Sequence, residues 1–245
     1  MCKIQALYNA CTSVFAFGSE EASLQPSSDE IQWLQHILGS LESCDLGIED
    51  QTDDDVSGTP ENNVQEIIKY THIHECQDFS MGVFCLPAGT TIPLHDHPEM
   101  IVLSKVLSGS LSVKSYDWVR QPYCPDSTYK KSGLARLTLE DKVFDSSSPA
   151  TVLFPMSGGN IHSVTALTTC AFIDVLTPPY SNQQGRPSTY YIEKPIPSLP
   201  GYVILEGVST DIPKDLLITG EIYRGPQLDF YEDDDDDDED SYVSE

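Results

Sequence analysis

Between residues 27 and 41 apolar side chains recur at helical spacing. Ile31, Leu34, Leu38 and Leu41 fall on one face. Ser27 and Glu30 stand three apart ahead of that run, the spacing of a reciprocal capping box, so the pattern predicts a helix over 27–41. Residues 3–17 carry a weaker amphipathic pattern and predict a second short helix. A one-sided apolar face needs a partner, so these helices are expected to pack on the outside of whatever follows. From Ile67 the period drops to two. IIKYTHIHE, FSMGVFCL, IVLSKVL, SLSVKSYDW, ATVLF, IHSVTAL and CAFIDVL are short β-branched and aromatic runs broken by Gly, Pro, Ser or Asp. Such runs, with no helical pattern between them, predict an all-β sandwich or barrel. Pro122–Gly133 reads as a long loop at its rim. Ser43–Val64 is polar, acidic and rich in turn residues, and EDDDDDDED near the end is a charge block. The expected organisation is a helical extension at 1–44, an acidic linker at 45–66, a barrel at 67–228 and a disordered acidic tail at 229–245.

Charge sharpens that division. The net charge of −26 is concentrated: residues 229–245 hold eleven acids and 45–66 hold eight, with no Lys or Arg in either. The remainder is near −7, which leaves no basic footprint for a phosphate backbone, and direct nucleic-acid binding is not expected. No run of 18 apolar residues occurs, so no transmembrane helix is expected. The first 18 residues, with one Lys and a broken apolar run, make a poor signal peptide. The seven cysteines are scattered and contain no CxxC pair. That pattern points to reduced thiols in the cytosol or nucleus.

The chemistry gathers in GTTIPLHDHPEMIVLSKVLSG, residues 89–109. His95 and His97 are two apart; on a strand both imidazoles would point the same way and could share one metal ion. Gly89 and Pro93 mark a loop into the strand and Gly109 a turn out of it. The spacing resembles the first motif of the cupin β-barrels, without the glutamate ligand usual shortly after the second histidine. Ile101 or Val102 takes that slot and Glu99 comes too early, so the site is expected to be built from histidines only. His72 and His74 form a second H-x-H pair that lacks the flanking Gly and Pro, and read as ordinary strand residues. His36 lies between apolar neighbours on a helix and reads as a surface residue. His162 follows PMSGGN and opens a strand, like the second cupin motif, although Pro155 precedes it by two residues more than usual and Ala166 replaces a polar residue. Beside His95 and His97 it becomes the third ligand. Three imidazoles suit zinc and iron alike. Asp174, a lone carboxylate in an apolar strand, needs a partner. Either it bonds a strand neighbour, or it orients a ligand or receives a substrate ammonium. Tyr180 places a phenol at the cavity mouth or simply packs. Cys85 reads as a small buried hydrophobe, and Gly158-Gly159 as the turn into His162.

LPAGTTIPLHDHPEMIVLSKVLSGSLSVKSYDW, SGGNIH, FIDVLTPPY and the late YRGP resemble the plant cysteine oxidases, relatives of the animal 2-aminoethanethiol (cysteamine) dioxygenase. The resemblance runs from about Ser27 to Pro226. It implies a cupin-type double-stranded β-helix (jelly-roll) barrel and a non-haem Fe(II) enzyme. Such an enzyme adds both atoms of O2 to the sulfur of an N-terminal cysteine, giving cysteine sulfinic acid. That product marks proteins, ethylene-response transcription factors among them, for arginylation and N-degron proteolysis, so that the enzyme senses oxygen. Position by position, His95, His97 and His162 match the iron ligands, and Asp174 and Tyr180 match residues near the substrate. A cytoplasmic and nuclear monomer is expected, with O2 and N-terminal-cysteine peptides or proteins as partners and no membrane. Ser188-Thr189-Tyr190 stands where animal relatives can carry a Cys–Tyr crosslink, which therefore cannot form here, and the acidic tail after Phe230 is outside the family pattern. One rival is a dioxygenase of free cysteine or cysteamine. An amino-acid substrate would call for a carboxylate-binding Arg, and Arg120, Arg136, Arg186 and Arg224 all lie outside the histidine motifs. The other rival is a metal-free cupin binding module, against which the three histidines speak. The chain itself begins Met1-Cys2-Lys3. Removal of Met1 would expose the group this family oxidises, but chance is the leading reading, and the long Lys3 and a helix over 3–17 count against self-oxidation.

Overall fold

The structure, a computed structural model, describes residues 2–15, 25–48, 67–120, 122 and 131–230. Among these, helices α1 (Lys3–Phe15) and α2 (Ser28–Gly39) and a 3-10 turn (Ser43–Leu46) precede the strands. The strands are β1 (Ile68–Glu75), β2 (Ser80–Leu86), β3 (Thr91–His95), β4 (Ile101–Ser108), β5 (Ser110–Trp118) and β6 (Ser132–Asp145). They continue with β7 (Thr151–Leu153), β8 (Ile161–Ala166), β9 (Cys170–Thr177), β10 (Tyr190–Pro195), β11 (Tyr202–Ser209) and β12 (Ile218–Glu221). The capping box forms as the spacing predicts. Glu30 N–H donates to Ser27 Oγ at 3.3 Å, and Ser27 N–H donates to Glu30 Oε2 at 2.7 Å, satisfying two otherwise orphaned groups at the helix start.

One sheet runs β12-β1-β2-β9-β4-β7; the other, β10-β11-β6-β5-β8-β3, closes on itself where Tyr190 pairs with His95. Every pairing is antiparallel except β1 with β12. This is the all-β, cupin-type double-stranded β-helix expected, with the helices outside it. β9 shows why. All eight of its residues are buried because it is covered on both faces. Ala171, Ile173 and Val175 meet the helix layer through Leu7, Leu34 and Leu38, while Phe172 and Asp174 face the interior. A strand covered on both sides reads as a continuous apolar run, and a single carboxylate within it stands out.

Two boundaries move outward. The stretch expected to begin a linker at 45 starts with the ordered 3-10 turn. Leu46 is buried in the helix-side core, Gly47 ends the turn at φ 65°, and Lys3 Nζ lies 2.9 Å from Asp45 Oδ2. Likewise the tail expected from 229 is still tied down there. Asp229 N–H donates to Gln5 Oε1 at 2.8 Å, its carbonyl accepts from Gln5 Nε2 at 2.9 Å, and Phe230 meets His74 with ring centroids 5.5 Å apart. Both corrections have one cause: acidic composition favours solvation, but partners far along the chain capture the first residues of each segment. The rest of the linker, 49–66, and of the tail, 231–245, lie outside the described residues, as does 123–130 of the rim loop. β6 begins at Ser132 and so takes the last two residues of that expected loop.

Candidate metal centre

β3 ends at His95, which stands opposite His162 on β8. His97 lies beyond the strand. The expectation that strand alternation alone aims both histidines is thus corrected: neighbours aim His97. Its backbone N–H donates to Asn160 Oδ1 at 3.1 Å, and its carbonyl accepts from Asn160 Nδ2 at 2.8 Å. One nitrogen from each of His95, His97 and His162 lies within 4.8 Å of the others, and the three ring centroids are 4.8 to 5.0 Å apart.

Each ring is also held from behind. His95 Nδ1 meets the Pro93 carbonyl at 2.8 Å and His162 Nδ1 the Gly159 carbonyl at 3.2 Å. A carbonyl only accepts, so these Nδ1 atoms carry the proton and Nε2 keeps its lone pair. His97 Nδ1 lies 2.8 Å from the Tyr180 hydroxyl, which in turn donates to the Asp96 carbonyl at 2.9 Å. With its own proton committed there, the hydroxyl accepts from His97. His97 Nε2 is buried and has no partner among the described residues. An unpaired buried nitrogen beside two similarly oriented imidazoles fits a shared cation well. Burial lowers the pKa of all three, that of His162 to about 3, and for His97 the neighbouring imidazoles add to the effect. The rings are therefore neutral at physiological pH, the protonation state a metal needs.

Three residues that sequence reasoning missed build this arrangement: Asp96, Asn160 and Asp117. Asp96, between the ligands, is buried. Its Oδ1 accepts from the Thr189 N–H at 2.7 Å, and its Oδ2 accepts from the Tyr191 hydroxyl and from Lys131 Nζ, each at 2.9 Å. The ligand loop is thereby tied to the segment leading into β10, whose Ser188 hydroxyl also donates to the Asp96 carbonyl at 3.3 Å. Asn160 clamps His97 and donates to the Phe154 carbonyl at 3.0 Å. Asp117 fixes the turn before His162 by accepting from the N–H groups of Gly159 (2.8 Å) and Asn160 (3.2 Å). Gly158 and Gly159 serve that turn as expected, at φ 85° and 87°. An acid between two candidate ligands was a visible signal for Asp96; nothing local marks Asn160.

The interior holds a cavity of about 390 Å³ whose lining includes His162, Asp174, Ser104, Ser115, Phe172 and Lys142. Asp174 Oδ1 accepts from Ser104 Oγ at 2.6 Å. Burial pushes its pKa up to about 7, against the lowering effect of that bond. Asp174 thus has the strand neighbour that one sequence reading gave it as partner, and it also lines the cavity. Tyr180 is placed differently. It backs His97 and packs near Met100, Val102, Leu153 and Leu176. Burial raises its pKa well above the ordinary phenol value, so it stays protonated. Cys85 is half-buried and burial raises its pKa as well, in keeping with an unreactive thiol. The other H-x-H pair does not join the site. His72 stands opposite Gly82 and is exposed, whereas His74, past a bulge, meets Tyr8 and Phe79 in the helix layer.

A closed double-stranded β-helix that converges three neutral imidazoles beside a cavity is a metal-binding cupin. The chain belongs to the PCO_ADO family, which it matches over residues 37–228, and it is accordingly a thiol dioxygenase. It is 38% identical over 245 residues to plant cysteine oxidase 1 of Arabidopsis thaliana, covering 92% of this chain and 80% of that protein. To plant cysteine oxidase 2 of the same organism it is 36% identical, covering 93% and 84%. To the 2-aminoethanethiol dioxygenase of Homo sapiens it is 30% identical, covering 87% of each chain. Among solved structures, an RmlC-like cupin from Desulfovibrio desulfuricans covers 54% of this chain and 99% of its own at 16% identity, with a TM-score of 0.28. The fold assignment rests on the strand order, not on that likeness.

Proposed function

We propose that the protein oxidises the thiol of an N-terminal cysteine, on peptides and proteins, to the sulfinic acid, with Fe(II) held by His95, His97 and His162. The observation that carries this is the pairing of three neutral nitrogens with a cavity whose lining includes one carboxylate, Asp174, and no arginine among the described residues. A substrate ammonium finds a partner there; the carboxylate of free cysteine finds no guanidinium. Held by the three neutral nitrogens of His95, His97 and His162, Fe(II) would keep its full charge and would supply a lowered thiol pKa and a place for O2 to react.

The protein's own groups do the rest. The Nδ1 bonds to Pro93, Tyr180 and Gly159 keep the rings from turning. Asp174, whose pKa burial pushes up to about 7, receives the substrate ammonium in its ionised form. The apolar walls, Val106, Leu111 and Phe172 among them, limit water. The reaction balances as RSH + O2 → RSO2H. Sulfur gives up four electrons, O2 accepts them, both oxygen atoms end on sulfur, and no outside reductant is consumed.

By this reading the product primes N-degron proteolysis of targets such as ethylene-response transcription factors. The enzyme acts as an oxygen sensor in cytoplasm and nucleus, as a monomer. Its own Cys2 is exposed, but the Cys2 carbonyl accepts the Ala6 N–H at 3.1 Å and so starts α1. That tether favours chance over self-oxidation. Mass spectrometry of Cys-initiated peptides after aerobic incubation with the Fe(II)-loaded protein is the test. A gain of two oxygens on the cysteine is expected. Oxidation of free cysteine or cysteamine with peptides left untouched would favour the rival substrate.

A further inference from the structure

We propose that Lys142, at the cavity's outer end, reads the charge of the substrate a few residues beyond its cysteine and selects peptides with an acidic residue there. This rests on the N-terminal-cysteine reading above and deepens it.

The basis is a bulge. β6 pairs with β5 so that Leu139 stands opposite Ser115, while Lys142 stands opposite Val113. Three residues of β6 thus advance against two of β5, with Asp141 at φ 49°. Such a bulge re-aims every side chain after it, and Asp tolerates the left-handed conformation better than most residues. As a result Leu139, Lys142 and Phe144 all line the cavity, with Lys142 exposed at its outer end. Under strict alternation from Leu139, Asp141 and Val143 would face inward and Lys142 would face solvent. The extra residue therefore puts a positive charge where the regular strand would put a negative one.

Lys142 is free for a ligand. Among the described residues it makes no ion pair; its ammonium lies 4.9 Å from the centroid of the Phe144 ring. With Asp174 it accounts for the charged Lys, Arg, Asp or Glu side chains lining the cavity; Gln35, Ser148 and Thr151 add neutral polar groups. The register gives the separation. His162 lies in one cross-strand row with Ser115 and Leu139, and Lys142 lies in the next same-face row with Val113 and Val164. A same-face step along a strand is about 7 Å and two strands across is about 10 Å, so the backbones of His162 and Lys142 are about 12 Å apart. The ammonium and carboxylate of free cysteine sit on one carbon, a span much shorter than the about 12 Å between the His162 and Lys142 backbones. An extended peptide advances about 3.5 Å per residue. With both side chains reaching inward, its third or fourth residue arrives at Lys142. In a chain of net charge −26, a lysine at that point also relieves the repulsion an acidic peptide would otherwise meet.

The experiment is a competition between two Cys-initiated peptides, identical except for Asp or Lys at positions three and four. Both are mixed with the Fe(II)-loaded full-length protein, and the ratio of sulfinic products is read by mass spectrometry. The native protein is expected to favour the Asp peptide by about three- to fivefold, the range of an exposed ion pair. The preference should shrink in about 0.5 M NaCl. Lys142→Ala should bring the ratio to one or below, and Lys142→Glu should invert it. Melting curves check that both variants fold. A native ratio of one, or the same ratio in all three proteins, overturns the proposal. Failure to oxidise any Cys-initiated peptide is a different result: it removes the substrate reading, and this inference with it.

Discussion

His72 and His74 on β1 and His95 and His97 at the end of β3 share a sequence pattern, yet the structure uses them in opposite ways. In the first pair the intervening residue is Ile73. The register of β1 against β2 slips between His72 and His74, so the pair is split across the sheet. His74 joins the helix-side layer against Tyr8, Phe79 and Phe230, and burial lowers its pKa. In the second pair the intervening residue is Asp96. Its carboxylate is pinned by Thr189, Tyr191 and Lys131, and its carbonyl by Tyr180. With Asp96 fixed, the two imidazoles flanking it are turned toward His162. A spacing of two thus does not make a site. The residue between the histidines, and what grips it, decides whether their nitrogens converge.

The sharpest way to break this comparison is to delete one imidazole from each group. His162→Ala and His97→Ala are expected to lose stoichiometric iron and to lower turnover by roughly three orders of magnitude or more. His72→Ala and His74→Ala should keep both. Iron analysis of the purified variants decides it, and iron retained by His162→Ala but lost from His72→Ala would reverse the assignment. Asp96→Asn comes next. It leaves Lys131 without its anion and forces an amide among donors, so a loss of about 3 kcal/mol in denaturant unfolding is expected, with weakened iron binding. Unchanged stability and iron affinity would remove Asp96 from the account.

Asp174→Asn is expected to lower peptide oxidation by about 10- to 100-fold, the worth of a hydrogen bond to a charged group, while impairing folding less. Its stability should also respond to pH with a definite sign. Burial raises the folded-state pKa to about 7, above an unfolded value of about 4. Between those values the folded chain holds a proton that the unfolded chain has released. The associated stabilisation is complete below about pH 4 and is lost as pH rises through about 7. In metal-free protein the stability of Asp174→Asn relative to the native chain should therefore increase from about pH 4 to about pH 8. A pH-independent difference in melting temperature would contradict the raised pKa.

Tyr180→Phe removes the hydroxyl behind His97 but keeps the ring, so a drop of about tenfold in iron affinity is expected with little change in melting temperature. An iron titration that matches the native protein would show that packing alone orients His97. The smallest effects belong to the first pair. His74→Ala should cost about 1–2 kcal/mol through lost contacts with Tyr8 and Phe79, and His72→Ala should stay within about 0.5 kcal/mol. Equal costs for the two would mean that the bulge does not divide them.

The sequence by itself determined whatever depends on near neighbours. Ser27 and Glu30 cap α2 from three residues apart, Ile31, Leu34 and Leu38 form its buried face, and the period of two from Ile67 onward announces strands. The three histidines of the candidate site were legible as well, because His95 and His97 carry a flanking pattern and His162 follows a glycine turn. Their convergence was not. Asn160 reaches back 63 residues to His97, Tyr191 reaches 95 residues to Asp96, and Asp229 is held by Gln5 across 224 residues. The slip that divides His72 from His74 and the bulge that brings Lys142 to the cavity's outer end are properties of strand pairing, set by β2 and β5 as much as by β1 and β6. Periodicity and capping are encoded within a few residues because the interactions behind them span one turn or one pleat. The direction of an imidazole or an ammonium within the barrel is set by the register of strands distant in sequence, and only the folded barrel fixes that register.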